Sequence, residues 1–179
     1  MNSGTSSESI TFEEAIEVTH SLMSQMAAGT LSEEDTQTAI ADLVGTANGA
    51  RGFFVTYLTD DSPLADDPSP GTLQALQAAP EIVAELLVKN LAMSTAMAIT
   101  HRRQENEEMA QGSDSVRSRT LNLIDLLNRD DIAQMAAQMK ESATKSEGTY
   151  ASFLQRWGYD DEQRQAICHT IDRLKYLHH

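Results

Sequence analysis

Cysteine is almost absent from this 179-residue chain: Cys168 stands alone, so no internal disulfide can form. Proline occurs four times and glycine nine times, too few for the many turns of an all-β protein. Aromatic residues make up 5%, against 40% apolar residues in all, so a core must rest on Leu, Ile, Val, Ala and eight Met. Basic residues are missing from the first half. Between Met1 and Val88 there are fourteen acidic side chains and one basic one, Arg51, whereas Lys89 to His179 carries thirteen acids and twelve bases. Nearly all of the net charge of −14 is therefore N-terminal. This asymmetry argues against binding phosphate backbones, which works through Lys and Arg displacing counterions. It suits solubility, and permits a basic protein partner or a cationic ligand. The start of the chain lacks the basic and apolar regions of a secretory leader. Met1 to Ser9 reads as a disordered Ser/Thr/Gly tail. The most apolar stretch, Ile82 to Ile99, is interrupted by Glu85, Lys89, Asn90, Ser94 and Thr95, which argues against a membrane span. A reducing cytoplasmic setting is expected. His178 and His179, native or tag-derived, carry no functional weight.

What the chain does contain favours helix: Ala, Leu, Gln, Glu and Met lose little entropy there. A first helix is expected from Thr11, with Glu13 and Glu14 in its first turn and Gly29 at its end. Its stripe is Phe12, Ile16, Thr19, Met23 and Met26. Ser32 followed by Glu33, Glu34 and Asp35 starts a second. Ile40, Leu43, Val44, Ala47, Phe54 and Leu58 continue at helical spacing, which outweighs the strand-like run Phe53–Leu58. Gly45, Gly49 and Gly52 would then share one face, open to close approach by a neighbouring helix, or Asn48-Gly49 would break the helix. Thr59 to Gly71, with four Asp and three Pro, is a loop; it lacks the alternating oxygens and distal Glu of a calcium loop. Leu73 and Leu76 mark a short helix before Pro80.

The longest helix is expected over about 81–109. It is apolar nearly all round and hence central, with a polar far end. Gly112-Ser113-Asp114 is read as a break that recaps the chain. Further helices follow on Val116–Leu127, on Ile132–Met139 after Asp130-Asp131, and on Tyr150–Trp157, with Phe153 and Trp157 as anchors and Gly158 as terminator. A last one opens at Asp160, with Ile167, Ile171, Leu174 and Leu177. The expected fold is all-α: one irregular bundle of six to eight helices, a single domain over 10–177.

No catalytic, metal or cofactor motif emerges, and no enzyme activity is assigned. Glu17 and His20 have the Glu-x-x-His spacing of carboxylate-bridged di-iron bundles, which need two such pairs; one is present. Cys168 and His169 are adjacent on a helix and point about 100° apart, a poor nucleophile and base. The helix–Gly158–helix outline resembles a DNA-reading motif, but Asp160, Asp161 and Glu162 would face phosphate. Arg51 falls on the stripe of Ala47, Phe54 and Leu58. It is expected inward, in an internal ion pair or clamping an anionic ligand. His101, Arg102 and Arg103 form the densest basic cluster, a candidate for docking a partner carboxylate or a plain solvated helix face. The leading functional expectation is a non-enzymatic interaction or regulatory module with an acidic N-terminal half. The second is a small-ligand bundle lined by Met93, Met97, Phe53, Phe54 and Trp157, with the clamp at Arg51. A homodimer follows if the glycine face or the Phe53–Leu58 edge is exposed.

Overall fold

The computed structural model describes residues 9–175. Of the expected tail Met1 to Ser9, residues 1–8 lie outside the described residues, as do Leu177 and the His178–His179 pair. Within them the chain is all-α, with nine α-helices, one 3-10 turn and no strand. Each start carries its own chemistry. Helix α1 (Phe12–Ala28) opens on a reciprocal box in which the Thr11 hydroxyl accepts from the Glu14 amide and the Glu14 carboxylate accepts from the Thr11 amide. It closes on Gly29 at φ 69°, the left-handed conformation glycine adopts without penalty. Helix α2 (Glu33–Val44) is capped by Ser32, as its sequence requires.

The stripe from Ile40 to Leu58 belongs to two helices. α2 stops at Val44, and α3 (Ala47–Thr59) restarts after Thr46. The break falls at Gly45-Thr46, upstream of Asn48-Gly49. Thr46 is extended, and its hydroxyl accepts from the Gly49 amide at 3.1 Å. That side-chain cap competes with continuation of the preceding helix. The restart resets the helical phase, so the inward residues of α3 are Phe53, Phe54, Tyr57 and Leu58, while Arg51 is exposed. The inward Arg51 expected from the continuous stripe is thus corrected. The predicted close approach occurs at Gly52: a Cβ there would stand 2.4 Å from Ala15 Cβ and 3.0 Å from the Phe12 carbonyl, both on α1. Both Gly49 and Gly52 are buried, as are Phe53, Phe54, Tyr57 and Leu58. Gly45 on the glycine face and Val55 on the Phe53–Leu58 edge, the latter 43% exposed, are the members that reach the surface.

A 3-10 turn (Pro63–Ala65) and α4 (Pro70–Gln77) lead to α5 (Glu81–Arg103), the central helix. It packs against α6 (Glu107–Leu127), α7 (Asp130–Lys145) and α9 (Asp161–Asp172), and touches α3. By length and composition alone α5 is apolar enough to cross a membrane despite its polar interruptions, and 56% of its apolar window is buried by the other helices. It ends six residues before the expected 109. Glu105 takes φ 57°, and the amides of Glu105 and Asn106 donate back to the carbonyls of Arg102 and His101 at 3.1 and 2.9 Å. Asn106 then caps α6 by accepting from the Met109 amide. Glu105 fills a position that usually selects glycine, and this concealed the turn. Gly112, expected to break the chain, lies inside α6.

Helix α8 (Ala151–Trp157) ends at Gly158 with φ 68°, and Asp160 with Gln163 forms the box that starts α9. Ile167, Ile171 and Leu174 enter the core as expected. Gln163 fastens α9 to α5 by donating to the Ala96 carbonyl and the Thr100 hydroxyl, at 3.0 and 2.9 Å. Trp157, expected to anchor α8, is 51% exposed. Leu154 is the buried residue of that helix, while Phe153 is half-buried beneath the Lys89 ammonium.

Candidate functional site

α5 and α6 run antiparallel, and α3 with the loop after it leans against their open side. Between them lies a cleft of about 710 Å³. Its floor comes from two stripes at helical spacing. Asn90, Met93, Ser94, Met97 and His101 belong to α5; Met109, Gly112, Ser113 and Val116 belong to α6. Gly112 leaves room, since a Cβ built on it would meet nothing within 4 Å. Met93 and Met97 are half-buried, and Met109 at the rim is 52% exposed. The third wall is Leu58 to Asp61. The cleft therefore pairs a methionine floor with carboxylates at its ends, Asp60 and Asp61 at one and Glu108 at the other.

Arg119 builds that third wall. Its side chain is 10% exposed, and its five N–H donors are matched by five contacts. Nη1 donates to the carbonyls of Leu58 and Asp60 at 3.0 and 2.7 Å, and Nη2 donates to Ser62 at 3.1 Å. Nε and Nη2 grip Asp66 at 2.9 and 3.3 Å. Tyr57 ties the same loop by donating to the Leu64 carbonyl. The guanidinium hydrogen bond holds the Asp66 carboxyl below the usual carboxylate range. Hydrogen bonding from Ser62 does the same for Asp60, with smaller help from the charges of His20 and Arg119. Both groups stay ionised at neutral pH, so the Asp60 end of the cleft is anionic. Sequence reasoning missed Arg119, although the signal existed: it lies three residues after Val116 and four before Leu123, on the buried stripe of α6.

The residues singled out from the sequence fall elsewhere or are already engaged. Arg51 lies outside the cleft, with its guanidinium 5.1 Å from the centre of the Phe12 ring, a cation–π contact at the surface. Arg102 binds Glu107 and Asp114 at 3.0 and 2.6 Å, fastening the α5–α6 turn. Arg103 binds Asp160 and Glu162, each at 2.6 Å, tying α5 to the start of α9. These carboxylates hold both guanidinium groups more firmly protonated than usual. Of the basic cluster only His101 borders the cleft. Of the pocket expected around Met93, Met97, Phe53, Phe54 and Trp157, only the two methionines line it. The phenylalanines belong to the packed core, and Trp157 is on the surface.

Glu17 and His20 are both exposed. His20 borders a second depression of about 270 Å³, whose wall Thr59–Asp61 is shared with the cleft. Among the described residues no group of three or more His, Cys, Asp or Glu is placed to hold a metal ion. Cys168 is half-buried, its thiol 3.5 Å from the Thr144 hydroxyl and 3.7 Å from the Lys140 carbonyl. His169 beside it is exposed.

The charges divide unevenly. The ion pairs of Arg102, Arg103, Arg129, Lys140 and Lys145 are made with acids of the second half. In the first half, Asp66 pairs with Arg119 and Glu85 with Lys89. Among the described residues no ion pair within 4 Å joins a cation to Glu13, Glu17, Glu34, Asp35 or Asp42 of α1 and α2.

These features define an all-helical bundle with one amphipathic, acid-ended cleft beside an unneutralised acidic surface. The chain belongs to the family described as uncharacterised conserved protein UCP020893, whose model matches residues 11–174. No curated protein and no solved structure matches it.

Proposed function

We propose that this protein is a non-enzymatic interaction module for a basic protein partner, working in the cytoplasm. The observation that carries this reading is the division of charge. Eight of the twelve cations of the second half are engaged in ion pairs within the bundle, while the carboxylates of α1 and α2 and those at the ends of the cleft make no ion pair among the described residues. Such a surface raises the encounter rate with basic partners and repels phosphate backbones. The cleft supplies the apolar area that charge alone lacks. The alternative of a small-ligand bundle clamped by Arg51 loses its geometry, because Arg51 lies outside the cleft. No role follows from the fold itself, since helical bundles serve many unrelated activities.

The test is capture of partners by the full chain from its own cell extract, compared with a variant in which Glu13, Glu17, Glu34 and Asp42 are Gln or Asn. These side chains are exposed, so the variant keeps the fold. Basic proteins held at low salt, released at high salt and depleted on the variant support the module. Retention of nothing at low salt, or a bound set indifferent to the substitutions, contradicts it.

A further inference from the structure

We propose that the cleft between α3, α5 and α6 receives one amphipathic helix of the basic partner. The apolar face of that helix would lie on Met93 and Met97, with Lys or Arg at its two ends. The inference rests on the module reading above and deepens it by naming the surface and the form of the occupant.

Three observations fit together. The first is length. The floor runs along α5 from Asn90 to His101, eleven residue steps, or about 16 Å at the helical rise, which matches three turns of a helix laid alongside. The second is the floor itself. Met side chains are unbranched and polarisable and adapt to the apolar face of a docked helix, while Gly112 and Ser94 keep the trough open. The third is charge complementarity. Asp60 and Asp61 stand at one end and Glu108 at the other. Of the two basic side chains lining the cleft, Arg119 has every donor turned onto the end of α3, the loop after it and Asp66, and His101 shares its end with Glu108. An occupant with basic ends and an apolar middle satisfies the whole lining. An acidic or nucleic-acid occupant meets like charge at both ends.

The experiment uses the full chain labelled with 13C at the methionine methyl groups. The probe is a synthetic helical peptide of Leu and Lys whose apolar residues share one face. A peptide of the same composition in scrambled order serves as control, and spermidine serves as a small cation. The expected result is saturable movement of the Met93, Met97 and Met109 signals with the amphipathic peptide. Met23 and Met139, buried elsewhere in the core, stay still. The scrambled peptide binds weaker by at least about tenfold, because its apolar residues no longer share a face. Met97→Lys abolishes the response. Since that change at a half-buried site can disturb folding, the exposed pair Asp61→Lys and Glu108→Lys is the second variant, and it too loses binding.

Equal response to both peptides overturns the proposal, as does response to spermidine alone. Silence of the three methionines while the peptide still binds also overturns it. If basic proteins are captured in a charge-dependent way and the methionines stay silent, the cleft assignment fails and the module survives. If nothing basic is captured, both fall.

Discussion

Truncating Arg119 to Ala isolates the interaction that shapes the cleft wall. The side chain is almost enclosed, and three of its five hydrogen bonds reach backbone carbonyls at the end of α3 and in the loop after it. A hydrogen bond involving a charged group contributes about 1.5–3 kcal/mol, and acceptors left dry cost a similar amount. The loop is at the surface, so water partly replaces the guanidinium. A net loss of about 3 kcal/mol is the reasonable figure, within the usual range for breaking a buried polar network. At about 2–4 °C per kcal/mol for a chain of this size, the melting temperature should fall by about 6–12 °C.

The partition of that loss is the sharper part. Asp66 is 57% exposed, so its ion pair with Arg119 is screened and contributes at most about 1 kcal/mol. Asp66→Asn should therefore cost far less than Arg119→Ala. Arg119→Lys should recover less than half of the loss, because an ammonium cannot reproduce the planar fork. Urea unfolding followed by circular dichroism measures all three. An Arg119→Ala loss below about 1 kcal/mol, or an Asp66→Asn loss equal to it, would refute the reasoning.

Two glycines of similar helical setting should respond with opposite sign. Gly52→Ala drives a Cβ into Ala15 and the Phe12 carbonyl, and despite a helix-propensity gain of about 1 kcal/mol it should cost about 1–3 kcal/mol net. Gly112→Ala meets nothing within 4 Å and should stabilise by up to about 1 kcal/mol. Thermal melts of the two variants decide the matter. Burial pushes Tyr150 and Tyr159 up to about 12 and Tyr57 higher still. Since folding raises these values above the unfolded one near 10, their contribution to stability is complete below about pH 10 and is lost as pH rises through the folded values. Absorbance at 295 nm should show these three ionising together with unfolding in alkali; normal titration near pH 10 would contradict their burial. Trp157, half-exposed, should be readily quenched by acrylamide, and Trp157→Ala should change stability by less than about 1 kcal/mol. A shielded indole or a larger loss would return it to the core.

The class of fold was legible because starts and stops are written locally. Thr11, Ser32 and Asp160 sit where a side-chain oxygen must satisfy a free amide, and Gly29 and Gly158 sit where φ turns positive. The errors came where an ordinary residue did an unusual job. Thr46 restarts a helix inside an unbroken apolar stripe, and Glu105 occupies a left-handed position without being glycine. Each displaced a boundary, and the displaced phase at Thr46 turned Arg51 from inside to outside. For the site, Met93 and Met97 were named, and His101 borders the cleft that they floor. Arg119 was not, although the periodicity argument applied to Arg51 fits it better. The partners of Arg103 lie at the start of α9, fifty-seven and fifty-nine residues away, and no local pattern encodes them.

The most direct test of the central claim places a photoreactive amino acid at position 97 in living cells and maps what it captures. The account predicts an adduct with an apolar segment flanked by Lys or Arg in another polypeptide, lost when Asp61 and Glu108 are reversed to Lys. Absence of any adduct at position 97, while the same group at the exposed position 157 is captured, would contradict it.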